Sequence, residues 1–153
     1  MALCEAAAYY KTQGKTLWDA MIEMYEQFGY YKDAIQSVTM KGIEGLQKIQ
    51  EIMNSLRQNP PAEFAGHKVV AVRDYKADTI TDVATGAVKP TGLPNSNVLY
   101  YELTDDAWVC VRPSGTEPKV KFYYGVKGTS LADADEKSDI MGKAVLDMVD
   151  SMK

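Results

Sequence analysis

Residues 98–126 read VLYYELTDDAWVCVRPSGTEPKVKFYYGV, and this stretch decides the fold. Three runs rich in valine, tyrosine, tryptophan and phenylalanine, at 98–103, 107–112 and 119–126, have the composition of strands. Thr104-Asp105-Asp106 between the first two is short and polar enough for a tight hairpin. Between the second and third lies Arg112-Pro-Ser-Gly-Thr-Glu-Pro-Lys119, which crowds a guanidinium, two hydroxyls, a glycine and a lysine into one turn. Proline, serine and glycine form turns in any loop, so R-P-S-G alone reads as a plain hairpin connection. The longer string changes that reading, because Thr116 and Lys119 continue the series of donors. Arg112 offers a planar fork that matches phosphate oxygens, and Ser114 and Thr116 add hydroxyls. Gly115 allows close backbone approach, and successive amides in such a turn can cup an anion. The expectation is a phosphate ester held by Arg112, Ser114, the Gly115 backbone and Thr116.

Outward from this core, Ile35, Ser37 and Thr39 alternate with Gln36, Val38 and Met40, as a strand from about residue 31 requires. Residues 42–58 form the next helix, with Ile43, Leu46, Ile49, Ile52, Met53 and Leu56 along one side. Asn59-Pro60-Pro61 stops it, since proline disfavours helix in the residue before it. A strand at 68–75 follows, centred on Val69, Val70, Ala71 and Val72. The polar stretch 76–97 reads as a long mobile loop. Ser130 caps a last helix, 130–151, whose apolar side is Leu131, Met141, Ala144, Val145, Met148, Val149 and Met152. Strand, helix, four strands and helix make an α+β unit: an antiparallel four- to five-stranded sheet with two helices packed on one face.

The first thirty residues differ. Ala6, Ala7, Ala8, Tyr9 and Tyr10 favour helix up to Gly14, and Thr16 with Asp19 forms a capping box for a second helix. Leu17, Met21, Met24, Tyr25 and Phe28 recur on one side of it, a stripe expected to be packing core whose neighbours in the preceding domain are missing here, and Gly29 closes it. The division expected is 1–30 as a helical tail of a truncated preceding domain and 31–153 as a self-contained domain. The start, Met1-Ala2-Leu3-Cys4, reads as a helix already under way, with no signal peptide.

Composition bounds function. The chain has 153 residues, 46% hydrophobic and 25% charged, with a net charge of −4, so no global basic field favours nucleic acid or an acidic membrane. No apolar run approaches the roughly 20 residues that span a bilayer. Two far-separated cysteines, Cys4 and Cys110, fit a reducing cytoplasm, with Cys110 read as a core residue. The single histidine, His67, makes neither a multi-histidine metal site nor a triad. Asp74, Asp78 and Asp82 are spaced too openly for a carboxylate pair, and Asp133, Asp135, Glu136 and Asp139 read as helix cap and solvated face. Lys119 and Lys121 share one face of their strand, making them secondary anion contacts. Glu117 would repel phosphate, so it either orients Arg112 or Lys119 or turns away from the ligand.

The segment Trp108-Val-Cys-Val-Arg-Pro-Ser-Gly-Thr-Glu-Pro-Lys-Val-Lys-Phe-Tyr123 resembles the phosphate-binding loop of the α-D-phosphohexomutases, the phosphoglucomutase and phosphomannomutase superfamily. Upstream, Leu3-Cys-Glu-Ala-Ala-Ala-Tyr-Tyr-Lys, Gly14-Lys-Thr-Leu and Tyr25-Glu-Gln-Phe-Gly-Tyr-Tyr resemble the end of the third domain in the longer bacterial phosphoglucomutases. The resemblance implies a fourth-domain fold, often compared with the TATA-binding protein in shape alone. It implies that Arg112, Ser114, Gly115 and Thr116 hold the phosphate of a hexose phosphate, with Lys121 at a place where the family often has a basic residue. It also implies an isomerase acting through a phosphoserine, a magnesium ion and glucose 1,6-bisphosphate, whose serine and metal loops belong to N-terminal domains absent from this sequence. The fragment would then be the substrate's anchor and not catalytic alone. A free-standing sugar-phosphate module and a protein-interaction domain are the other classes; the helix under way at the start argues against both.

Overall fold

The structure is a computed structural model that describes residues 1–40 and 42–152. In chain order its elements are α1 (Ala2–Thr12), α2 (Leu17–Phe28), β1 (Tyr30–Thr39), α3 (Ile43–Gln58), β2 (Glu63–Phe64), β3 (His67–Asp74), β4 (Thr79–Asp82), β5 (Val88–Lys89), β6 (Leu99–Leu103), β7 (Trp108–Pro113), β8 (Lys119–Gly128) and α4 (Leu131–Ser151). The strands lie in the order β1-β8-β7-β6-β3-β4-β5, every neighbour antiparallel, with β2 paired to β3. The α+β class and the two helices on one face are as the sequence predicts.

Alternation in the strands separates the two faces of the sheet. Tyr101, Val109, Tyr124 and Ala34 sit side by side on four neighbouring strands. On this face Tyr101, Val109, Val111, Val120 and Phe122 are fully buried, and α3 and α4 cover them. Fully burying such a side chain contributes roughly 1.5–3 kcal/mol, so this layer dominates the stability. Both helices reach the same row: the Tyr101 hydroxyl donates to the Leu56 carbonyl of α3 at 3.2 Å, and Tyr124 packs under Gly142 of α4. The opposite face carries Tyr100, Cys110, Tyr123 and Ile35 on one row and Arg112, Lys121 and Ser37 on the next. No helix of the structure is long and apolar enough to cross a membrane.

Several expectations change. Leu46 and Leu131 point outward, whereas Gly45, Ala134, Ser138 and Gly142 are buried. An apolar stripe read from large side chains overlooks small residues, and these are what let a helix approach a sheet closely. The Ile43 side chain lies outside the described residues. Cys110 is half-buried on the uncovered face and not in the helix-covered core. The α2 stripe packs no core here: no residue of α1 or α2 is buried, and Trp18, Met24 and Phe28 are exposed. The Thr16–Asp19 capping box is formed, with Thr16 N–H donating to Asp19 and Asp19 N–H to Thr16 Oγ1.

The stretch 76–97 is not a plain loop, for it contains β4 and β5 and extends the sheet by two strands beyond the expected five. Asp78, at a φ of 55°, accepts from Thr91 N–H at 3.1 Å and Gly92 N–H at 3.2 Å, and Asp82 accepts from Thr85 N–H at 2.7 Å. Strands this short show no alternation in sequence; aspartates bonding backbone amides brace them instead. The Thr104–Ala107 turn is the tight hairpin expected. Asp105 and Asp106 have φ of 62° and 57°, the primed geometry that matches strand twist, in a residue type that tolerates it.

Candidate functional site

β7 and β8 carry the candidate loop. Ser114 N–H donates to the Lys119 carbonyl at 2.7 Å and closes it, and Lys119 N–H donates to Glu117 O at 2.7 Å inside it. Met40 N–H donates to the Pro118 carbonyl at 2.9 Å and ties the loop to the end of β1. Thr116 N–H reaches Ser114 Oγ at 3.5 Å. Gly115, Thr116 and Glu117 are exposed and Ser114 half-buried. Among the described residues the Gly115 amide and the Thr116 hydroxyl have no hydrogen-bond partner. Nothing lies within 4 Å of a Cβ built on Gly115, so the chain's own packing leaves open space there.

The charges in the site sort into two sets. Glu117 faces Lys119, whose Nζ donates to Glu117 Oε2 at 3.0 Å, and that ammonium holds the carboxyl below the ordinary carboxylate range. Arg112 and Lys121 are direct partners on adjacent strands, with side chains on the same face. Among the described residues neither side chain makes an ion pair or a hydrogen bond. Like charges directly opposite destabilise an antiparallel pair, and the only acid acting on this one is Glu117, which attracts Lys121 at longer range than it does its partner Lys119. The arrangement concentrates positive charge with hydroxyl and amide donors at one end of the sheet. Of the predicted residues, Arg112, Lys121 and the 114–116 loop come together, Lys119 is neutralised by Glu117, and Glu117 is turned onto Lys119 and not onto Arg112.

Other sequence candidates have structural partners. Asp74 accepts from Arg57 Nε at 3.0 Å, while Asp78 and Asp82 hold backbone turns as described above. His67 Nδ1 lies 3.1 Å from Asp105 Oδ2. Burial pushes the Cys110 thiol above its ordinary pKa, so it stays protonated. Among the described residues no three histidine, cysteine or acidic side chains converge as metal ligands. What sequence reasoning missed is Arg57, whose Nη2 also donates to Asn97 Oδ1 at 2.5 Å and whose Nη1 is buried without a partner. Its only signal is an arginine in the last turn of a helix.

Residues 52–143, more than half of the chain, match the family model for the phosphoglucomutase/phosphomannomutase C-terminal domain. The chain belongs to this family. A phosphoglucomutase of Staphylococcus aureus (strain bovine RF122 / ET3-1) is 38% identical over 135 residues, which are 88% of this chain and 24% of that protein. The phosphoglucomutase of strain MRSA252 is 37% identical with the same coverage. The chain therefore spans about a quarter of the length of these relatives. A solved structure, the open form of the exocytosis-sensitive phosphoprotein pp63/parafusin from Paramecium, superposes with a TM-score of 0.49 at 13% identity, over 94% of this chain and 24% of that one. A likeness that weak carries no argument.

Proposed function

We propose that this phosphohexomutase C-terminal domain anchors the phosphate of a hexose phosphate for an enzyme that interconverts the 1- and 6-phosphates. The observation that carries the reading is the Arg112–Lys121 pair: two cations facing each other across adjacent strands, neither in a salt bridge or side-chain hydrogen bond among the described residues. Arg112 presents its fork to phosphate oxygens, Lys121 adds a point charge, and the Ser114 and Thr116 hydroxyls with the Gly115 amide close the cup. Lys119 stands behind Glu117 as a reserve cation. The loop's one carboxylate, Glu117, is held by Lys119, so the site's contribution is read as binding. Holding the phosphate that does not react positions the one that does, which converts remote binding energy into rate.

The phosphoserine, the magnesium ligands and the glucose 1,6-bisphosphate chemistry of such an isomerase are assigned to parts of the relatives' length that this chain does not span. Magnesium, when bound there, supplies electrophilic stabilisation of the transferring phosphoryl group. Residues 1–30 are read as the end of a preceding domain and residues 31–153 as the phosphate-binding unit. A cytoplasmic setting fits substrate phosphates and two free cysteines. The test is Arg112→Ala in the full-length protein, with glucose 6-phosphate titrated by calorimetry. Loss of ten- to a hundredfold in affinity is expected for removal of a charge-assisted bidentate contact. Unaltered affinity refutes the assignment.

A further inference from the structure

Register places a third residue in the cationic row. Ser37 of β1 is the direct partner of Lys121 on β8, which is itself the partner of Arg112 on β7. All three side chains therefore stand on the sheet face that α3 and α4 leave open. Ser37 is exposed, and its hydroxyl has no hydrogen-bond partner among the described residues. Two strand spacings, about 9.5 Å, separate Ser37 from Arg112. A phosphate gripped by Arg112 and Lys121 does not fill that width, so the row continues past the anion to a neutral group able both to donate and to accept. The next position along β1 on the same face is Thr39, beside Lys119. That lysine is occupied by Glu117, which leaves Ser37 beside the cation that is free.

We infer that Ser37 is a specificity-determining contact: it binds a hydroxyl of the polyol that carries the phosphate, and so distinguishes a sugar phosphate from phosphate alone. This rests on the reading of Arg112 and Lys121 as the phosphate anchor and adds to it the direction in which the sugar lies, toward β1 and across β8. A hydroxyl suits the task better than a charge, since it can take either role toward a sugar O–H without adding a third cation to the row.

The test measures inorganic phosphate and glucose 6-phosphate separately on this chain, by calorimetry or amide shifts, for the wild type, Ser37→Ala, Ser37→Thr and Arg112→Ala. Ser37→Ala is expected to weaken glucose 6-phosphate about five- to tenfold, the loss of one hydrogen bond, and to leave inorganic phosphate unchanged. Ser37→Thr, which keeps the hydroxyl and suits a strand, restores much of the loss. Arg112→Ala weakens both ligands. If Arg112→Ala weakens both while Ser37→Ala changes neither, the inference about Ser37 is overturned and the anchor stands. Equal weakening of both ligands by Ser37→Ala also overturns it, by making Ser37 a phosphate contact. If the wild type binds neither ligand, or Arg112→Ala changes nothing, the anchor itself fails and the inference with it.

Discussion

Replacing Lys121 by glutamine should make the fold more stable and the site worse, and the combination separates a binding device from a structural one. Lys121 and Arg112 are directly opposed on β8 and β7, and neither forms a salt bridge among the described residues, Glu117 attracting Lys121 only at longer range than Lys119. At a separation of about 6 Å in a nearly aqueous environment, two unit charges repel by roughly 0.7 kcal/mol. Measured cross-strand pairs fall in the same range, about 0.2–1 kcal/mol. Lys121→Gln keeps part of the apolar stem and removes the charge, so a gain of about 0.5 kcal/mol is expected at low ionic strength. For a chain of this size that is a rise of roughly 1–2 °C in Tm. Screening supplies an internal check. With a Debye length of about 3 Å at 1 M salt, the repulsion is nearly gone, and the gap between wild type and variant should close. Urea denaturation at low salt and at 1 M salt reads both effects. Phosphate should stabilise the wild type by mass action and the variant much less. A variant that is less stable at low salt, or whose gain is untouched by salt, refutes the argument that these two cations oppose each other.

Glu117→Gln frees the Lys119 ammonium from its partner and should strengthen binding of phosphate and sugar phosphates a few-fold; a titration showing unchanged or weaker affinity would place Glu117 in a role other than masking Lys119. Gly142→Ala sets two effects against each other. Alanine favours a helix interior by about 1 kcal/mol, but its Cβ would lie 2.4 Å from the Tyr124 hydroxyl under α4. Overpacking of about 1–3 kcal/mol should win, giving a net loss in urea denaturation, and Tyr124→Phe in the same chain should recover part of it. The Asp78 carboxyl is held below its ordinary range by the Thr91 hydroxyl first, and by the Gly92 and Thr91 amides. A depressed folded-state pKa contributes stability that is present above the ordinary carboxylate range and lost as pH falls through the folded value. Amide exchange at Thr91 and Gly92 should therefore accelerate in acid before exchange in β7 and β8 does; simultaneous release of both regions would contradict this local brace.

Local chemistry is written in short stretches, and those stretches were legible. The runs at 98–103, 107–112 and 119–126 name their strands by composition, and Thr104-Asp105-Asp106 names its turn. Thr16 with Asp19 and Ser130 with Asp133 announce helix starts whose capping bonds are formed. The donors of the loop, from Arg112 to Lys119, stand in one octapeptide because a single turn suffices to present them. Residues 76–97 were not legible, since two very short strands leave no period to detect and their order depends on side-chain bonds from Asp78 to residues more than ten positions away. The inward faces of α3 and α4 were half legible, because Gly45, Ala134, Ser138 and Gly142 bury by being small and carry little apolar signal.

By itself the sequence determined an antiparallel sheet with two amphipathic helices and a loop crowded with hydrogen-bond donors. Only the tertiary structure decided which cations that loop can use. Lys119 lies two residues from Glu117 and is spent on it, while Lys121, two residues further, lands opposite Arg112 and beside Ser37, attracted by Glu117 only from a distance. The reason is that strand register is a non-local quantity. It is set by the burial of Tyr101, Val109, Phe122 and Tyr124 beneath the helices, and a slip of one residue would turn every donor to the other face of the sheet. The apolar face therefore chooses the register, and the register assembles the site on the face it leaves open.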